Sequence, residues 1–204
     1  LIRVLSVDDH PLLRDGIAEL VGNQLDMELV AEACNGREAV ELFRKHRPDI
    51  TLMDLQMPEM GGIDAMSEIR REFPEARIIV LTTYTGDVQV MRALKAGARA
   101  YLLKGLLRKE LIEMVRAVHT GEKRMASEIA AEVAAHATDD VLTPRETDVL
   151  RLIAVGNANK DVAAQLSITE ETVKGYVKNI LAKLRAKDRT HAVTIGLKRG
   201  VITL

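Results

Sequence analysis

Apolar residues in the first 120 positions fall into short continuous runs that alternate with longer stretches of helical spacing. Ile2 to Val7, Leu29 to Cys34, Ile50 to Met53, Arg77 to Thr82 and Arg99 to Leu103 read as strands. Between them, Pro11 to Val21 carries Leu13, Ile17, Leu20 and Val21 on one helical face, with proline suited to a first helical turn. Gly36 to His46, a segment marked by Ile63, Met66 and Ile69, Asp87 to Ala96, and a segment marked by Leu111, Val115 and Val118 read as further helices. Short connections and strict alternation predict an α/β fold: a doubly wound, five-stranded parallel sheet with helices on both faces.

The pattern changes after residue 120. Residues 121–141 are acidic and alanine-rich, with one short amphipathic helix expected from Ser127 to His136 and exposed linker from Thr138 to Asp140. Thr143-Pro144-Arg145-Glu146 is a capping box with proline at the first helical position, and the helix it starts is expected to run to Val155, where Gly156 ends it. Asn159 is placed to cap Lys160 to Leu166, and Thr169 to cap Glu170 to Leu184. Only Ser167-Ile168 lies between, so the pair predicts a small all-α helix-turn-helix unit. A last helix is expected from Arg189 to Arg199. The predicted organisation is therefore residues 1–120, a linker over 121–141, and a helical unit over 142–204.

Charge separates the same segments. The net charge of −1 hides 16 Lys+Arg against 19 Asp+Glu in residues 1–120, 2 against 5 in residues 121–140, and 11 against 6 in residues 141–204. A basic last third on an otherwise acidic chain points to a polyanion partner for that third alone. No acid occurs from Thr172 to Lys187, which favours this over a protein-binding helical module. At about 100° per residue, Val173, Val177, Ile180, Leu181 and Leu184 form the inner face of the second helix. Gly175, Lys178, Asn179 and Ala182 lie opposite, with Thr172 and Lys174 on the flanks. Glycine inside a helix costs about 1 kcal/mol relative to alanine, a cost that makes sense where a ligand backbone must come close.

The single cysteine, Cys34, excludes an intrachain disulfide and a multi-cysteine zinc site; its apolar setting reads as core, and its isolation agrees with a reducing compartment. No apolar stretch reaches the roughly 18 residues of a membrane span. Nothing resembles a signal peptide, and a cytoplasmic location is expected. A start at Leu1 rather than Met is consistent with native residues preceding it.

Chemistry concentrates where strands end. Ile50 to Met53 stops at Asp54, with Pro58 and Gly61-Gly62 breaking regular structure just beyond, and Ile2 to Val7 stops at Asp8-Asp9. Ligands of open α/β sheets bind outside the carboxyl ends of strands. Three carboxylates gathered there repel one another and call for a hard divalent cation such as Mg2+. The fourth strand supplies hydroxyls at Thr82-Thr83 and the fifth an ammonium at Lys104. Acid, cation, hydroxyl and ammonium make a phosphoryl site, with Asp54 as nucleophile forming an acyl phosphate. No G-x-x-x-x-G-K-[ST] or G-x-G-x-x-G occurs, so nucleotide binding has no support. His10 has no second His or Cys at ligand spacing and reads as a partly exposed loop residue.

Val7-Asp8-Asp9-His10, Met53-Asp54-Leu55-Gln56-Met57-Pro58-Glu59-Met60-Gly61-Gly62, Thr82 and Gly97-Ala98-Arg99-Ala100-Tyr101-Leu102-Leu103-Lys104 together resemble the receiver domain of two-component response regulators, which has a flavodoxin-like fold. The resemblance implies that Asp54 is the phosphoacceptor for a sensor histidine kinase. It implies direct Mg2+ contacts from Asp54, Asp9 and the Gln56 backbone carbonyl, with Asp8 holding a metal-bound water. Thr82 and Tyr101 become the switch pair and Lys104 the phosphate contact. Gly105 stands where an acid or proline is common, and a looser loop is expected there. Leu142-Thr143-Pro144-Arg145-Glu146, Asn159-Lys160-Asp161-Val162-Ala163, Thr172-Val173-Lys174 and Lys183-Leu184 resemble the LuxR-type (NarL/FixJ subfamily) DNA-binding domain. That resemblance implies double-stranded DNA as partner, with Lys174, Gly175 and Lys178 at groove-contacting positions. Asn159, Lys160 and Thr172 become candidate phosphate contacts, and the last helix a dimerisation element on DNA. Gly175-Tyr176 departs from the bulkier residue and histidine often seen there, which leaves base preference open. The implied protein is a transcriptional regulator with at most autophosphorylation and autodephosphorylation chemistry. The competing reading, a phosphohydrolase turning over at Asp54, generally wants a second acid where Gln56 stands.

Overall fold

The computed structural model describes residues 1–83, 86–125, 127–135 and 140–202. His136, Thr138 and Asp139, where the short helix was expected to end and the linker to begin, lie outside the described residues. The chain forms two compact units, Leu1–Thr83 with Val90–Ala130, and the remainder.

The first unit alternates β1 (Ile2–Val7), α1 (Pro11–Gly22), β2 (Met27–Ala33), α2 (Gly36–His46), β3 (Ile50–Asp54), α3 (Gly62–Glu72), β4 (Ile78–Thr82), α4 (Asp87–Lys95, in this unit from Val90), β5 (Ala100–Leu103) and α5 (Leu107–His119). With a sixth strand at Arg124–Met125 (β6), all strand pairings among the described residues are parallel, in the order β2-β1-β3-β4-β5-β6. The sixth strand, β6 (Arg124–Met125), was not legible as a strand: it is two residues long and pairs Tyr101 with Met125 and Ala100 with Arg124. It lies in the stretch read as linker.

Alternation along the strands decides which side chain meets which helix. Ile2, Val4, Ile50, Leu52, Ile79, Leu81, Ala100 and Leu102 pack with Ile17 and Val21 of α1 and with Leu107, Leu111, Met114, Val115 and Val118 of α5. The other parity, including Leu5, Val7, Met53, Val80 and Tyr101, is equally buried, as expected of a sheet covered on both faces. Cys34 departs from its expected place. It follows β2 rather than sitting inside it and is half-buried, with Sγ 3.4 Å from Glu38 Oε1. The Glu38 carboxylate, more than burial, raises the thiol pKa.

The second unit contains α6 (Ser127–Ala135) in part, then α7 (Pro144–Ala154), α8 (Asn159–Leu166), α9 (Glu170–Lys183) and α10 (Arg189–Lys198). The expected capping box is formed: Thr143 Oγ1 accepts from Glu146 N at 3.3 Å, and Glu146 Oε2 accepts from Thr143 N at 2.7 Å. Thr169 caps α9 by accepting from Thr172 N at 3.1 Å. At α8 the cap lies one residue earlier than expected. Ala158 is the N-cap and Asn159 the first helical residue, because Asp161 Oδ2 reaches back to Ala158 N. The turn between α8 and α9 stays short because Ser167 adopts a left-handed conformation (φ 53°, ψ 46°), which lets Ile168 N bond back to Ala163 O at 3.0 Å. Leu142, Val149, Leu150, Val162, Val173, Ile180 and Ala192 form this unit's core.

Candidate functional site

Register brings the predicted acids to one edge. Val7 pairs with Met53, Asp54 with Leu81, and Thr82 with Leu103, so the residues after β1, at the end of β3 and after β5 emerge side by side. Asp8 is fully buried and Asp54 nearly so. Lys104 Nζ bridges them, 2.7 Å from Asp8 Oδ2 and 2.9 Å from Asp54 Oδ2. The other Asp54 oxygen, Oδ1, accepts the Leu55 backbone N–H at 2.7 Å. Arg14 Nη1 donates to the Asp8 backbone carbonyl at 2.7 Å.

Burial raises the Asp54 pKa, with the neighbouring Asp8 adding to it; hydrogen bonding and attraction from Lys104 and the Leu55 N–H oppose the rise without cancelling it. For Lys104 burial works towards the neutral amine, but the hydrogen bonds to Asp8 and Asp54 outweigh it and the pKa stands above the ordinary value. The pocket thus holds its ammonium charged between two acids.

Asp9 lies at the rim. Ligand atoms of Asp8, Asp9, His10 and Asp54 all fall within 4.8 Å of one another. Three carboxylates against one ammonium leave two negative charges, and a divalent cation cancels them. The donors are hard oxygens, which fits Mg2+. Gln56 is exposed in the loop two residues beyond Asp54.

Thr82 and Tyr101 have the same strand parity and lie on the same face of the sheet. Tyr101 is fully buried, and desolvation pushes its hydroxyl up to about 12, with the Thr82 hydroxyl working against the rise. The residues after β5 are tighter than Gly105 implied. Lys104–Leu106 form a 3-10 turn that leads directly into α5.

The loop from β3 to α3 is shaped by close approach. A Cβ on Gly62 would stand 1.9 Å from the Asp54 carbonyl oxygen, so only glycine lets the chain fold back against the strand end that presents Asp54. Gly62 N donates to Leu55 O at 3.0 Å and fixes that return.

In the second unit, Val173 and Ile180 are buried while Thr172, Lys174, Gly175, Lys178, Asn179 and Ala182 are exposed, so the predicted inner and outer faces of α9 are both observed. Lys160 is exposed and Asn159 half-buried at the start of α8. Among the described residues, Lys174 Nζ has only an exposed contact with Glu171 Oε2 at 3.4 Å. The charge count includes Lys183 without showing its role. It is anchored at 2.8 Å to the buried Glu146 Oε2 and also donates to Val141 O.

The response regulator receiver domain family model matches residues 4–116, and that of bacterial regulatory proteins, luxR family, matches residues 140–195. An uncharacterized transcriptional regulatory protein of Bacillus subtilis (strain 168), YhcZ, is 42% identical over 206 residues, covering 97% of this chain and 96% of its own. The response regulator protein VraR of Staphylococcus aureus is 37% identical over 98% of this chain and 99% of its own. The crystal structure of a two-component response regulator, LuxR family, from Aurantimonas sp. SI85-9A1 superposes with a TM-score of 0.64 at 36% identity, covering 67% of this chain and 98% of that one. With a receiver sheet, an acid pocket and a helix-turn-helix unit matched along nearly its whole length, this chain belongs to the LuxR family of two-component response regulators.

Proposed function

We propose that residues 1–120 form a phosphoacceptor domain controlling DNA binding by residues 142–204, with 121–141 as the connection. The observation that carries this reading is the Lys104 bridge between Asp8 and Asp54 in a buried pocket. An Asp54 carboxylate oxygen attacks the phosphorus of a phosphohistidine on a sensor kinase. The P–O bond forms as the P–N bond breaks, and the departing imidazole takes up a proton. The Leu55 N–H holds Oδ1, while Lys104 faces Oδ2 and meets the charge that develops on the phosphoryl oxygens. Asp8, Asp9, Asp54 and the Gln56 backbone carbonyl would hold Mg2+. When bound, the cation neutralises charge shared by the acids and the phosphoryl group.

Phosphorylation adds about −1.5 to −2 charge beside Thr82 and Lys104. Both groups then turn to the new oxygens, and Tyr101 occupies space that Thr82 leaves. α9 enters the major groove with Lys174, Gly175 and Lys178 towards the base edges. Asn159, Lys160 and Thr172 contact phosphates, and α10 pairs two copies on DNA. No helix among the described residues is long and apolar enough to cross a membrane, and the protein acts in the cytoplasm. It is a regulator rather than a turnover enzyme, its own chemistry being limited to gain and loss of the Asp54 phosphoryl group. Gln56, where a phosphohydrolase would want an acid, agrees with this.

The test uses a duplex selected by this protein from a randomised pool. Affinity is measured across a salt series, with and without acetyl phosphate and Mg2+. Tighter binding after phosphorylation supports the coupling; equal affinity in both states rejects it while leaving DNA binding intact.

A further inference from the structure

His10 follows the acid pair directly and caps α1 with its backbone alone, making no side-chain capping bond. Its imidazole turns back towards the acids, with Nδ1 2.8 Å from Asp9 Oδ1 and 3.2 Å from Asp8 Oδ1. The longer contact has hydrogen-bond geometry. The shorter one does not, and Asp9 Oδ1 is a buried oxygen without a hydrogen-bond partner among the described residues. Nitrogen and oxygen therefore stand close without a hydrogen bond between them, and both are within reach of one ion. Two ligand atoms about 2.1 Å from one metal ion and at right angles across it stand about 3.0 Å apart, which is the spacing seen here.

The Asp8 carboxylate is divided accordingly. Oδ2 faces Lys104 at 2.7 Å, while Oδ1 lies on the His10 side, where it accepts the His10 backbone N–H at 2.9 Å. The ammonium occupies one side of the acid cluster and leaves the other to the imidazole. The His10 side chain is 70% exposed, so a cation arriving from solvent meets it at the mouth of the pocket.

We propose that His10 is a ligand of the divalent cation at this site, binding through Nδ1 in the Nε2–H tautomer, with the cation taking the place of the Nδ1 contact to Asp8 Oδ1. It would shift the site's preference from an all-oxygen, Mg2+-type set towards borderline transition ions such as Co2+. Carboxylate and carbonyl oxygens suit Mg2+, Ca2+ and Mn2+, whereas an added imidazole strengthens binding along the transition series. The inference rests on the reading that the acid cluster holds a divalent cation.

The experiment is calorimetric titration of the full chain with MgCl2, MnCl2 and CoCl2, for wild type, His10→Ala, His10→Gln and Asp9→Asn. Circular dichroism confirms folding of each. Because transition ions bind most sites more tightly than Mg2+, the decisive quantity is the dependence of the Co2+-to-Mg2+ affinity ratio on His10. Loss of the imidazole is expected to weaken Co2+ by about tenfold or more with Mg2+ nearly unchanged. Glutamine, which can donate a hydrogen bond to the acids but offers no imidazole nitrogen, is not expected to restore it. Asp9→Asn should weaken every cation. An unchanged ratio in both His10 variants overturns the ligand role alone. Tight Co2+ binding that survives Asp9→Asn assigns the ion to other histidines and also overturns it. No binding of any cation to wild type rejects the underlying cation reading as well.

Discussion

Lys104 Nζ stands 2.9 Å from Asp54 Oδ2, so an ammonium emerging after β5 is held against a carboxylate at the end of β3. The same nitrogen reaches Asp8 beyond β1. Removing it leaves two buried acids facing each other and takes away a fixed positive charge where phosphoryl oxygens would sit. Lys104→Met is expected to slow acetyl-phosphate-dependent modification by about 100-fold, read as the rate of adduct appearance in intact-mass spectra. A wild-type rate would remove Lys104 from the chemistry.

Gly62 supports the same site from the backbone. Its missing Cβ is what allows the loop to close on the Asp54 carbonyl, and backbone cannot yield as a flexible side chain does. Gly62→Ala is expected to destabilise the protein by about 1–3 kcal/mol in urea unfolding and to slow adduct formation through displacement of Asp54. Unchanged stability would show that the loop relaxes freely.

The places where sequence reading succeeded share a physical cause. A strand that ends at a carboxylate can be read because burial demands apolar residues up to that point, which places Asp8 and Asp54 from the sequence alone. The outer face of α9 was legible because helical period alone separates Val173 and Ile180 from Lys174 and Lys178. What was missed depends on tertiary partners. β6 is too short to show alternation, and Arg124 and Met125 become a strand only because the β5 edge is open to them. His10, read as a partly exposed loop residue, is 70% exposed, but its contacts with Asp8 and Asp9 have no counterpart in sequence spacing. Asn159 looked like a cap, yet Asp161 reaching back to Ala158 moves the helix start by one residue.

Glu146 joins the capping box of α7 to Lys183 of α9. Burial on its own would raise its pKa, but Lys183 and Thr143 outweigh it, and the folded value lies below the ordinary one. Stability from this group is therefore fully present above the unfolded value of about 4.3 and is lost as pH falls through the lower, folded value. The unfolding midpoint of the second unit should drop in that acid window, and Glu146→Gln should lower it at neutral pH by the equivalent of about 1–3 kcal/mol while flattening the acid limb. Calorimetric melting of both proteins across pH checks this; parallel curves would contradict it.

Gly175 separates folding from function. A Cβ added there meets nothing within 4 Å, and the residue is exposed inside α9. Gly175→Ala should stabilise the helix by up to about 1 kcal/mol while weakening DNA binding, because the added methyl occupies space wanted by the nucleic acid. Thermal melting and duplex titration read the two effects independently. Tighter melting with unchanged DNA affinity would move the groove contact elsewhere on α9.

The central claim is that Asp54 accepts a phosphoryl group, and intact-mass spectrometry after incubation with acetyl phosphate and Mg2+ tests it most directly. Wild type is expected to gain one phosphoryl adduct and Asp54→Ala none. An adduct of equal yield in the variant, or no adduct in wild type with either acetyl phosphate or a phosphorylated kinase, would contradict the account.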